Sequence, residues 1–102
     1  MATSVFTPIL RLQTGPLAGK VIELGNTLRV GRHPYNEMSL EDRAVSRYHC
    51  WIRAASGGFA IEDLASANGT YVNGVRVLET APLQVGDRVR VGETEFLLAE
   101  EE

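Results

Sequence analysis

Apolar and polar residues alternate with a period of two over short stretches of this chain, and glycine-containing segments separate many of them. In the stretch DRVRV, Val89 and Val91 fall on one side, with Arg88 and Arg90 on the other. That is the pattern of a strand with one face in a core. HCWIRA places Cys50, Ile52 and Ala54 on the inward side and Trp51 and Arg53 on the outward side. The same reading predicts strands at 9–13, 20–24, 27–30, 49–54, 59–63, 70–72, 75–78, 87–91 and 95–99. No segment repeats its apolar residues at the 3.6-residue period of a helix. Many short strands between turn signals predict an all-β sandwich or barrel. Asn73-Gly74, between two such strands, is the dipeptide of a two-residue type I′ hairpin. TGPLAG, Ser56–Gly58 and VGE supply three further turns.

At 102 residues the chain is expected to form a single domain. No apolar run approaches the ~20 residues of a membrane span, and the first ten residues lack the basic flank and apolar stretch of a signal peptide. Cys50 has no partner for an internal disulfide, which points to a reducing cytoplasm. We therefore expect a cytoplasmic monomer, with an extension at 1–7, a domain at 8–99 and a solvated acidic tail at 100–102.

The net charge of −3 argues against a nucleic-acid or anionic-membrane partner. Its distribution changes the picture. Residues 29–53 hold five arginines against three acids, and residues 54–102 hold three arginines against nine. The positive charge gathers on the long polar segment GRHPYNEMSLEDRAVSRYH, residues 31–49, between two predicted strands. Arg32 leaves a strand end at Gly31, and Ser46, Arg47 and His49 stand where the chain enters the next strand. A second polar segment, 63–74, follows one hairpin later and can emerge at the same end of a sandwich. Guanidinium groups, a hydroxyl, an amide and free backbone N–H groups gathered there suit a compact dianion such as phosphate.

The ordered set GR at 31–32, SRYH at 46–49, NG at 68–69 and NG at 73–74 resembles the forkhead-associated (FHA) domain family over about residues 8–99. The resemblance implies an eleven-stranded antiparallel β-sandwich that binds phosphothreonine peptides through loops at one end, without catalysis, cofactor or metal. The matching positions imply that Arg32 clamps the phosphate and that Ser46 donates its hydroxyl to it, with Arg47 beside them. Asn68 would bind the peptide backbone, and Arg43 would be an accessory cation for the peptide. Gly31, His49, Gly69, Asn73 and Gly74 would serve the architecture, His49 by bracing the loops from below. Two positions depart from the family pattern. Ala67 stands where many members have a hydroxyl facing the phosphate, and Ala65 stands where glycine is common.

The implied function is phosphothreonine recognition in Ser/Thr kinase signalling or phosphorylation-dependent assembly. An interaction domain that binds its partner independently of phosphate is the alternative. An enzyme would take Ser46 as nucleophile, His49 as base and Asp42 or Asp63 as orienting acid. No nucleophile-elbow glycine pattern surrounds Ser46, and two histidines, His33 and His49, are too few for a convincing zinc site.

Overall fold

The computed structural model describes residues 6–101. Eleven strands form two sheets: β1 (Thr7–Leu12), β2 (Val21–Glu23), β3 (Thr27–Gly31), β4 (Met38–Ser39), β5 (Cys50–Ala55), β6 (Gly58–Asp63), β7 (Thr70–Val72), β8 (Val75–Arg76), β9 (Thr80–Leu83), β10 (Arg88–Val91) and β11 (Thr94–Glu101). One sheet has the order β2-β1-β11-β10-β7-β8 and the other β4-β3-β5-β6-β9. Among the described residues there is no helix long and apolar enough to cross a membrane.

The alternation in the sequence becomes the core. Leu28, Val30, Cys50, Ile52 and Ile61 from one sheet meet Leu10, Leu12, Val89, Val91, Phe96 and Leu98 from the other, all buried. Arg88 and Arg90 point out to solvent between the buried Val89 and Val91. Ala54 departs from its expected inward place. It is exposed with Ala55, Ser56 and Gly57, because the tip of the β5–β6 hairpin protrudes into solvent.

Four expectations are corrected. Nothing in the sequence pattern marks β4, which is two residues long inside a polar segment. It pairs with β3 in parallel, so the sandwich is antiparallel in every pair but this one. Nor does the pattern mark β9, in which Pro82 lacks an N–H. It lies at the edge of its sheet, pairing only with β6, where that loss is tolerated. The strand expected at 75–78 stops at Arg76. The acidic tail expected from residue 100 is partly strand, since Glu100 and Glu101 pair with Pro8 and Thr7 of β1. Residues 1–5 of the expected extension and residue 102 lie outside the described residues.

Candidate functional site

The loops after β3, β4, β6 and β10 lie at one end of the sandwich and are tied together there. Gly31 closes β3 against the far end of the long polar segment 31–49. A Cβ at this position would overlap the Arg47 carbonyl oxygen and lie 2.8 Å from Asn36 Nδ2. Only glycine lets the two backbones come this close. The Arg32 N–H donates to the Ser46 carbonyl at 2.9 Å, and the His33 N–H donates to the Arg47 carbonyl at 3.1 Å. Asn36, buried, donates Nδ2 to the His33 and Arg47 carbonyls, both at 2.8 Å. Arg32 therefore leaves a rigid base.

Arg32, His33, Pro34 and Arg47 line an open hollow of about 220 Å³. The His33 ring stacks on Tyr48 with centroids 5.2 Å apart. Five arginines crowd residues 29–53, and the fold sorts them. Arg29 pairs with Glu37 at 3.2 Å and Arg53 with Glu62 at 2.8 Å. The Arg29 side-chain and backbone hydrogen bonds hold the Glu37 carboxyl below its usual range. Among the described residues, Arg32, Arg43 and Arg47 have no acidic partner within 4.0 Å, and all three are exposed. Of these five, the arginines left uncommitted are those on the loops.

Ser46 stands beside this hollow in sequence and accepts a hydrogen bond from the Ala67 N–H through Oγ at 3.0 Å. With its oxygen so used, the hydroxyl proton is free to be donated. The same bond joins the segment after β4 to the segment after β6. Asn68 adds another link, donating Nδ2 to the Ala44 carbonyl at 2.9 Å. Asp63 organises the base of the β6–β7 loop. Its carboxylate accepts from the Ser66 N–H, the Ser66 hydroxyl and the Thr70 hydroxyl. Burial opposes ionisation of Asp63, but these hydrogen bonds outweigh it and keep the carboxyl below its ordinary value.

His49 is fully buried under these loops. Its Nδ1 accepts the Ser46 N–H at 3.0 Å, and its Nε2 meets the Gly69 carbonyl at 2.9 Å. A carbonyl can only accept, so Nε2 carries the proton and the ring is the neutral tautomer. Both nitrogens are occupied, and neither is bonded to the Ser46 hydroxyl. The Ser46–His49 nucleophile–base pair weighed in the sequence is therefore not assembled. Asp42 does not orient His49 either. It accepts from the Ala44 N–H at 2.9 Å, the Glu93 N–H at 2.8 Å and the Thr94 hydroxyl at 2.9 Å. It thus locks the long polar segment to the β10–β11 turn. Burial disfavours its charge, and those hydrogen bonds reverse the balance and lower its pKa.

Asn73 and Gly74 have φ of 50° and 83°, the two positive values that a type I′ turn needs. Asn73 also accepts the Arg88 N–H and donates to Asp87, tying the hairpin to the start of β10. Cys50 lies in the core, where burial pushes its thiol pKa far up and leaves it unreactive. Sequence reading missed His33, Asn36 and Arg76. Arg76 lies over Gly69, and nothing in its local sequence announces that placement. A separate cavity of about 240 Å³, lined by Leu12, Leu17, Leu40, Glu41 and Thr94 among others, has Glu41 as its one charged residue and does not suit an anion.

A family model described as FHA domain matches residues 28–92. The glycogen accumulation regulator GarA of Mycolicibacterium smegmatis is 41% identical over 85 residues, covering 82% of this chain and 53% of that protein. An oxoglutarate dehydrogenase inhibitor of Corynebacterium efficiens is 39% identical over 85 residues, covering 82% of this chain and 59% of that protein. The chain thus spans somewhat more than half the length of these curated relatives. Among solved structures, an FHA domain studied for phosphothreonine-dependent interactions superposes with a TM-score of 0.83 at 31% identity, covering 94% of this chain and 98% of that one. Mycobacterium tuberculosis EmbR, in complex with a low-affinity phosphopeptide, gives a TM-score of 0.82 at 29% identity, covering 91% of this chain and 24% of that one.

Proposed function

The chain belongs to the FHA domain family, and we propose that it recognises phosphothreonine in a partner protein, in Ser/Thr kinase signalling or phosphorylation-dependent assembly. The observation that carries this reading is the hollow between Arg32 and Arg47, which gathers uncommitted guanidinium groups on braced backbone. In this reading Arg32 and Arg47 grip the phosphate. Ser46 gives it the hydroxyl proton that Ala67 leaves free. Asn68 and Arg43 meet the peptide, with Gly31, His49, Gly69, Asn73 and Gly74 as the frame. The domain works by binding, without catalysis, as a cytoplasmic monomer. Both nitrogens of His49 are spent on the frame, which supports that role.

Phosphate-independent binding of a partner protein is favoured by one observation, the bare methyl of Ala67 next to Asn68. Calorimetric titration of a phosphothreonine peptide and its unphosphorylated copy into wild type and Arg32→Ala separates the two readings. A charge-assisted hydrogen bond contributes about 1.5–3 kcal/mol, and a guanidinium fork makes two. Phosphate-dependent binding should therefore fall by at least tenfold in Arg32→Ala, with an unchanged circular dichroism spectrum. Equal affinity for the two peptides would establish the phosphate-independent reading.

A further inference from the structure

We infer that Arg76, together with Arg43, forms a second cationic subsite that reads an acidic side chain close to the phosphothreonine. This rests on the phosphothreonine reading above. Arg76 belongs to β8, at the edge of the six-stranded sheet, and sits opposite Tyr71 of β7. Its side chain runs diagonally up to Gly69. Nε, Cζ and Nη2 lie 3.0, 3.1 and 3.3 Å from the point where a Gly69 Cβ would stand. The guanidinium therefore rests on the backbone immediately after Asn68, in space that only a glycine leaves open.

Arg43 is tied to Asn68 through the backbone, since it precedes Ala44, whose carbonyl accepts the Asn68 amide. Asn68 is thus next in sequence to the glycine under Arg76 and is bonded to the residue that follows Arg43. Both arginines are exposed, and among the described residues neither has an acidic partner within 4.0 Å. Arg90, on β10 across β7, is committed elsewhere, with its guanidinium carbon 4.2 Å from the Tyr71 ring centroid. The phosphate is served by Arg32, Arg47 and Ser46. What matches the remaining planar forks is a carboxylate, which a guanidinium can bind through two parallel hydrogen bonds. A glutamate or aspartate next to the phosphothreonine supplies it.

The test is calorimetry with phosphothreonine peptides carrying aspartate at successive positions on either side, each matched by an asparagine copy. Exposed ion pairs of this kind predict about two- to fivefold tighter binding of aspartate at one position. That gap should shrink as salt is raised, close in Arg76→Gln and reverse sign in Arg76→Glu. Phosphate-dependent binding without any aspartate preference overturns the subsite and leaves the phosphothreonine reading intact. A preference that survives Arg76→Gln also overturns it, whatever Arg43→Gln does. If no phosphorylated peptide binds better than its unphosphorylated copy, both readings fall.

Discussion

Gly31 and Arg47 touch backbone to backbone: the end of β3 lies so close to the far end of the long polar segment that a methyl on Gly31 would overlap the Arg47 carbonyl oxygen. The contact places Arg32 and Arg47, neighbours of that junction, on the same hollow. Gly31→Ala must push a backbone rather than a side chain, and overpacking of this kind costs about 1–3 kcal/mol. The melting temperature should fall. Phosphopeptide affinity should fall further than stability alone explains, because Arg32 and Arg47 separate. Differential scanning calorimetry and peptide titration on the same variant measure the two effects.

His49→Ala removes the partner of two groups at once, the Ser46 N–H and the Gly69 carbonyl. Each buried group left unsatisfied costs about 1–3 kcal/mol. Urea denaturation should place the variant well below wild type. No hydrolytic activity should change, since the ring is closed off from the Ser46 hydroxyl. An unaltered urea midpoint would contradict the bracing role.

Asp63 makes stability depend on acid. Its folded pKa lies below the ordinary value of 3.8, so the unfolded chain takes up a proton first as pH falls. The stabilisation is therefore fully present above the unfolded pKa and is lost as pH falls through the folded one. Asp42, lowered in the same sense, adds to the effect. Asp63→Asn should lose stability at neutral pH, because an amide cannot accept on both sides as the carboxylate does. Its melting temperature should also fall less steeply on acidification. Parallel thermal melts from neutral pH downward measure both.

Ala65 has φ of 54°, a left-handed conformation that a residue with a Cβ adopts at a cost. The loop keeps this shape with alanine where the family favours glycine. Ala65→Gly removes roughly 1–2 kcal/mol of backbone strain and gives back about 0.4–1 kcal/mol through the freer unfolded chain. The net expectation is a gain of about 0–1.6 kcal/mol, read as a higher urea midpoint with an unchanged slope.

The alternation of Val89 and Val91 with Arg88 and Arg90, and the Asn73-Gly74 turn, were decided by the sequence. A strand with one dry face and a turn needing two positive φ values are local requirements, satisfied within a few residues. The sequence also marked Gly31, Arg32, Ser46, His49 and Asn68 as an ordered set. Tertiary structure decided what those side chains bond to. Ser46 and Ala67 are 21 residues apart in the chain, and Asp42 and Thr94 are 52 apart. Both pairs meet only because the two sheets bring their loops to one end. The same packing sent Arg29 and Arg53 to Glu37 and Glu62, left Arg32, Arg43 and Arg47 uncommitted, and laid Arg76 over Gly69. A count of charges along the chain cannot separate these arginines, because their partners are fixed by sheet pairing and loop contact, not by nearness in sequence.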